Sequence, residues 1–181
     1  MRCAQAIRPY LPGDDASDGL YPAILIDTPV VYSHIDSAEP IYGLVRNTDS
    51  TTNAIELDVE VFVDGHLLTL GSVPLNATKF ELPFSLADLE PRSKAYTISC
   101  IATTKHGSQR FEASNLLTYL PKPPSGIGSV TRMDLRTGAL LAKPVDGKGS
   151  YSPVFPIGFY AGFGGYLEKN LSIPAELASQ G

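Results

Sequence analysis

Residues 55–63 constrain the fold more than any other stretch of the chain. In IELDVEVFV, every odd position carries a branched aliphatic side chain, and three of the four even positions are acidic. A period of two residues places alternate side chains on opposite faces of an extended chain, so the pattern predicts a β-strand with one buried and one solvated face. The Asp64-Gly65 pair that follows favours a tight hairpin turn, and residues 66–70 are predicted to return as the partner strand.

A corner motif lies further along the chain. The turn Leu89-Glu90-Pro91 is followed five residues later by Tyr96, and residues 96–102 then alternate between buried and exposed positions. This segment resembles strand F of fibronectin type III and immunoglobulin-like sandwiches, where the tyrosine hydroxyl bonds back to the turn. Shorter apolar runs at residues 23–26 and 41–45 and a closing run at 109–120 predict further strands, so residues 21–120 are expected to form such a β-sandwich.

The flanking segments differ from this middle part. Residues 1–20 read as a polar leader that we expect to be mobile. Residues 121–126, PKPPSG, form a stiff connector, and residues 129–141 predict a hairpin turning at Gly138. An apolar strand over residues 154–163 and a helix over residues 171–179 follow. The predicted fold is therefore mainly β: a sandwich, a short hairpin and one βα unit.

Charge and hydropathy exclude two classes of function. The 181 residues include 14 Lys plus Arg against 19 Asp plus Glu, a net charge of −5, and no basic run exceeds two residues. Nucleic-acid binding needs a basic footprint that this sequence lacks. The longest apolar stretches are shorter than the ~18–20 residues of a membrane span. We therefore expect neither a nucleic-acid partner nor a membrane span.

No catalytic, metal or cofactor site can be read from the residues. His34, His66 and His106 stand at no ligand spacing, and the acidic stripe of residues 56, 58 and 60 lies on a predicted open face, where nothing would raise a carboxyl pKa. The acidic residues near position 14 lack positioned backbone ligands for a cation. The Gly-rich residues 162–165 lack the spacing of a phosphate-binding loop. We expect no cofactor and no metal.

The tail resembles secreted fungal proteins of the glycoside-hydrolase type, on the stretches SVTRMDLRTGALLAK and FPIGFYAGFGGYLEKNLSIPAELASQG. In that family a β-sandwich precedes a (β/α)-barrel, and the resemblance implies that residues 159–163 are the first barrel strand and residues 171–180 its helix. The catalytic carboxylates of such barrels lie on later strands, so no catalytic residue carries over. Tyr160 and Phe163 would at most line a sugar site, or else pack within the barrel.

The resemblance implies a non-catalytic accessory module of a secreted glycosidase acting on polysaccharide, inactive as this fragment, whose partner is the remainder of the barrel. An extracellular location follows by resemblance, although no signal peptide is visible. This hypothesis predicts that residues 121–181 pack poorly on the sandwich. The alternative is a free-standing carbohydrate-binding or adhesion module, or an interaction domain using open sheet edges. Phe62 is the one aromatic residue that the alternation places on a solvated face.

Two kinds of modification can be considered. The sequons at Asn76 and Asn170 are candidate N-glycosylation sites. Cys3 and Cys100 fit neither a metal nor a redox motif, and a disulfide between them would require an oxidising compartment. Because the alternation places Cys100 inside, we expect it to behave as a small buried hydrophobic residue.

Overall fold

A computed structural model of the chain describes residues 1–14, 20–28, 41–42, 45–46, 56–104, 109–124, 130–144, 149–156, 170 and 172–179. Strands dominate these ranges, which confirms the predicted mainly-β fold. The elements in chain order are β1 (Arg2–Gln5), β2 (Ile7–Arg8), β3 (Ala23–Asp27), β4 (Ile41–Tyr42), β5 (Val45–Arg46), β6 (Glu56–Val63), β7 (His66–Pro74), β8 (Phe80–Pro83), β9 (Tyr96–Thr104), β10 (Arg110–Leu117), β11 (Arg132–Asp134), β12 (Ala139–Ala142), β13 (Ser152–Val154) and α1 (Ile173–Ser179).

Two antiparallel sheets enclose the main core. One has the strand order β10-β9-β6-β7 and the other the order β1-β3-β8. Alternate side chains of β6 and β9 are buried against those of β1, β3 and β8 in one continuous cluster. Burial of this apolar surface drives the sheets together and gives the sandwich-like architecture. The small pair β4-β5 forms a separate two-stranded ladder, where a single strand over residues 41–45 was predicted.

The β6-β7 hairpin follows the sequence pattern closely. Leu57, Val59, Val61 and Val63 are at most 5% exposed, whereas the acidic side chains between them face solvent. The turn residues Asp64 and Gly65 have φ angles of 45° and 87°, the left-handed values that a type I′ turn requires. The predicted strand, turn and partner strand are therefore confirmed.

The tyrosine corner is also present. The Tyr96 hydroxyl donates to the Glu90 carbonyl at 2.6 Å and accepts from the Glu90 N–H at 3.1 Å. The Arg92 guanidinium lies over the Tyr96 ring, 3.4 Å from its centroid. The ring is buried, so the hydroxyl satisfies both polar groups of the corner while the ring adds apolar area to the core.

Replacing Tyr96 by Phe should lower the free energy of unfolding by about 1 kcal/mol, because it removes the hydroxyl from the Glu90 backbone and leaves the ring in place. For a chain of this length the midpoint of thermal unfolding, Tm, should fall by about 2–4 °C. Differential scanning calorimetry measures both quantities. A Tyr96→Phe protein with the wild-type Tm would show that the corner bond contributes nothing to stability.

The amino-terminal residues correct the prediction of a mobile leader. Cys3, Gln5 and Ile7 are buried, β1 pairs with β3, and β2 pairs with β11. The Tyr10 N–H donates to the Thr118 carbonyl at 2.8 Å, which binds the following segment to the end of β10. The leader prediction is thus wrong for residues 1–14, and residues 15–19 lie outside the described part. The polar Gln5 at a buried position hides the alternation that would have revealed β1.

The tail forms a third sheet with the order β13-β12-β11-β2. The predicted hairpin is confirmed, since β11 and β12 pair with each other and Gly138 has a φ of 80°. Through β2 this sheet joins the sandwich, which contradicts the expectation of poor packing for the described part of residues 121–156. The predicted strand over residues 154–163 lies mostly outside the described residues. The helix is present but begins at Ile173 rather than Leu171.

Candidate functional site

An open cleft of about 490 Å³ lies where the edge strand β1 faces the edge strand β10. Residues of both strands form its walls, and the turn after β11 contributes Leu135. The lining residues are Met1, Arg2, Cys3, Ala4, Leu25, Asp27, Lys79, Glu112, Ala113, Ser114, Asn115 and Leu135. The sequence did not predict this cleft, because the wall formed by residues 1–4 belongs to the expected leader.

Two side-chain amides bridge β1 and the carboxyl-terminal part of β10. The Asn115 Nδ2 donates to the Cys3 carbonyl at 2.8 Å, and the Gln5 Oε1 accepts from the Thr118 N–H at 2.6 Å. These bonds replace a regular ladder, since the two strands belong to different sheets.

The rim of the cleft carries both signs of charge. Arg2 and Asp27 are cross-strand neighbours, Lys79 immediately precedes β8, and Glu112 lies on β10. The Lys79 N–H donates to the Asp27 Oδ1 at 2.7 Å, and its Nζ donates to the Arg136 carbonyl at 2.7 Å. A mixed rim of this kind suits a polar or zwitterionic ligand better than a strongly charged one.

A second polar cluster fixes the turn between β11 and β12 on the sandwich. The Tyr21 hydroxyl donates to the Glu81 carboxylate, and the Arg136 Nε donates to the same carboxylate at 3.0 Å. The guanidinium lies over the Tyr21 ring, 4.4 Å from its centroid. The hydrogen bond to Glu81 raises the pKa of Tyr21, because ionisation would place two negative charges together. These contacts hold the turn between β11 and β12 against β8 and Tyr21.

The described residues place no metal-binding cluster around the candidate acidic and histidine side chains. They contain no group of three or more His, Cys, Asp or Glu side chains placed to hold a metal ion. Asp58 and Glu60 lie exposed on β6, and His66 is exposed at the start of β7. His34 and His106 lie outside the described residues.

In the part of the chain that is described, no helix is long and apolar enough to cross a membrane.

The structure describes two of the residues predicted to serve as binding or modification sites, Asn76 and Asn170. Tyr160 and Phe163 lie outside the described residues. Asn76 is exposed in the turn between β7 and β8, with a φ of 64°. Asn170 is exposed just before α1, where its Oδ1 accepts from the Ser172 N–H at 3.0 Å. Both sequons thus stay predicted glycosylation sites, and neither asparagine lines the cleft.

Comparison of the chain with protein-family models, with curated proteins and with solved structures finds no match. The geometry of the described residues is therefore the basis for a functional proposal. The resemblance of the tail to glycoside-hydrolase proteins stays a hypothesis from the sequence.

Proposed function

We propose that this chain is a non-catalytic accessory β-sandwich module of a larger secreted protein of the glycoside-hydrolase type. Because the third sheet packs on the sandwich, the proposed module includes this sheet, in place of the poorly packed remnant expected from the sequence. The observation that supports an accessory role is the way the chain leaves the third sheet. Phe155 directly follows β13, which is an edge strand of the third sheet. The Phe155 side chain is 87% exposed. The neighbouring Val154 on β13 is also exposed, at 40%. An exposed apolar patch beside an edge strand is typical of a surface that contacts another domain.

Strands β11 and β12, which precede β13 in the third sheet, are held to the rest of the structure by buried contacts. Arg132 on β11 and Asp14 form a buried ion pair, with both carboxylate oxygens within 2.8 Å of the Arg132 Nη1. Leu141 on β12 is buried in the main core cluster. Such an anchor would transmit the orientation of the sandwich to whatever follows β13, which is the mechanical task of an accessory module.

The remaining parts of the proposal come from the resemblance. A polysaccharide substrate for the whole protein, a barrel domain as the partner of Phe155 and an extracellular location all follow from it. The exposed sequon at Asn76 accords with secretion, since an acceptor asparagine must be accessible. The enzymatic activity would belong to the partner domain.

Limited proteolysis with mass spectrometry tests the anchored exit. We expect residues 1–156 to survive as one protected unit, because the third sheet includes β2 from the amino-terminal segment. Cleavage within the 121–124 connector should leave the two parts associated during size-exclusion chromatography. Rapid loss of everything after residue 120, with an intact sandwich left behind, would contradict an accessory module with a fixed exit.

The alternative, a carbohydrate-binding module, needs exposed aromatic rings that share a plane. Among the aromatic residues whose side chains the structure describes, Phe155 alone is highly exposed, while Phe62 and Phe80 are half-buried. Sedimentation with insoluble cellulose, chitin and β-glucan tests this alternative, with a reducing-sugar assay on the same samples. We expect neither binding nor hydrolysis. Saturable binding that Phe155→Ala abolishes and Leu70→Ala preserves would favour the alternative, and released sugar would contradict a non-catalytic role.

A further inference from the structure

The two cysteines lie together in the core although 97 positions separate them in the sequence. Cys3 on β1 is 4% exposed and Cys100 on β9 is fully buried. Both cysteines are free, and both side chains belong to the same buried core cluster. Since one comes from each sheet of the sandwich, a bond between them would join the two sheets directly.

Strand β10 positions Cys3, and it is also the strand that pairs with β9, which carries Cys100. Ala113 on β10 lies directly opposite Cys100, and its carbonyl is 3.8 Å from the Cys3 Sγ. The Cys3 carbonyl is in turn held by the Asn115 amide at 2.8 Å. Opposite residues of an antiparallel pair have Cα atoms about 4.5–5.5 Å apart. The Cys3 Sγ therefore lies beside the residue that pairs with Cys100. A disulfide needs Cα atoms within about 7 Å of each other, so the proposal requires that separation between Cys3 and Cys100.

The surroundings distinguish the two thiols. Cys3 lines the open cleft between β1 and β10, whereas Cys100 is closed off behind it. The hydrogen bond from Cys100 lowers the pKa of Cys3, against the opposing effect of burial. The hydrogen bond to Cys3 and burial together raise the pKa of Cys100. Cys3 is therefore the thiol that a reagent entering the cleft meets first and the one that ionises more readily.

We propose that Cys3 and Cys100 are an oxidisable pair that forms a disulfide by exchange with a small-molecule disulfide, such as glutathione disulfide, entering the cleft. The Cys3 thiolate attacks one glutathione sulfur, forms a mixed disulfide and releases one glutathione. The Cys100 sulfur then attacks the Cys3 sulfur and expels the second glutathione. Both cysteine protons end on the two glutathione thiols, so one disulfide is reduced as the other forms.

The consequence is a covalent staple between the sheets. It would close a loop of about 100 residues, the length at which the chain-entropy model gives one of the larger stabilising effects. The staple also joins β1, which carries one wall of the cleft, to the central strand β9. This inference does not depend on the proposed accessory role, because it concerns the sandwich alone.

The experiment uses the full chain, purified under reducing conditions and then exposed to excess glutathione disulfide without denaturant. We expect an intact mass lower by two hydrogen atoms, a non-reduced peptide map linking the Cys3 and Cys100 peptides, and no glutathione adduct. The oxidised protein should have a Tm higher by about 10 °C than the reduced protein. Retention of both free thiols, or a Tm no higher than that of the reduced form, would overturn the proposal.

Single-cysteine variants test the order of the two steps. Cys100→Ala should stop at the first step and accumulate glutathione on Cys3, whereas Cys3→Ser should stay unmodified because Cys100 is enclosed. Circular dichroism checks that each variant is folded, and Cys100→Val is a bulkier replacement if the alanine variant unfolds. A wild-type protein that keeps a stable glutathione adduct on Cys3 would contradict attack by Cys100.

Discussion

Replacing Arg132 by Ala is expected to lower the free energy of unfolding by about 3–5 kcal/mol. The Arg132 and Asp14 side chains are only 3% and 7% exposed, and their closest N–O distance is 2.7 Å. The Arg132 guanidinium also lies 4.1 Å from the centroid of the Tyr151 ring. Without Arg132 the Asp14 carboxylate would stay buried with no counter-charge, which costs far more than loss of an exposed pair. Urea unfolding followed by circular dichroism gives the change.

A matched control is available on β10. Arg110 and Glu112 form an ion pair of the same length, 2.7 Å, but their side chains are 59% and 64% exposed. Arg110→Ala should therefore change the free energy of unfolding by less than about 1 kcal/mol. Equal effects of the two variants would show that the buried pair does not anchor the third sheet. The variant Asp14→Ala/Arg132→Ala should lose less than the sum of its single variants, because removal of both partners leaves no unpaired charge.

The distance along the sequence between interacting residues explains why the sequence predicted one part of the fold better than another. Local features carry their own evidence: the alternation of β6, the Asp64-Gly65 turn and the spacing from Glu90 to Tyr96 all lie within a few residues. Asp14 and Arg132 lie 118 positions apart, and each reads alone as an ordinary surface charge. Their contact depends on the pairing of β2 with β11, which no local pattern encodes.

The candidate site was hidden for the same reason. The cleft needs β1 and β10 side by side, and β1 contains the buried polar residue Gln5 where an apolar residue would have revealed a strand. The Gln5 amide bonds to backbone groups of Thr118 compensate for its burial. Sequence reasoning correctly expected an apolar environment for Cys100. It could not place Cys3 beside it, because Cys3 lay in the segment taken for a leader.

Replacing Tyr10 by Ala should lower the free energy of unfolding by about 3–5 kcal/mol, as for other large buried aromatic residues. The side chain is fully buried and packs edge-to-face on Phe84, with ring centroids 5.7 Å apart. Its hydroxyl donates to the Ala23 carbonyl at 2.9 Å and accepts from the Ala6 and Ala23 N–H groups at 3.2 and 3.1 Å. Calorimetry of the variant should show the loss, and an unchanged Tm would contradict a core position for Tyr10.

Tyr10→Phe separates the ring from the hydroxyl and adds a pH test. It should cost about 1–3 kcal/mol at neutral pH, because buried backbone groups lose their partner.

Burial raises the pKa of Tyr10 above its ordinary value of 10.0, so the folded state holds the phenolic proton more tightly than the unfolded state. This contribution to stability is complete below pH 10.0 and is lost as the pH rises through the folded-state pKa. Tyr21 and Tyr119 also have raised pKa values, so wild-type stability should fall at alkaline pH for several reasons. Tyr10→Phe should fall less steeply over the same range, and a slope as steep as that of the wild type would exclude Tyr10 as a contributor.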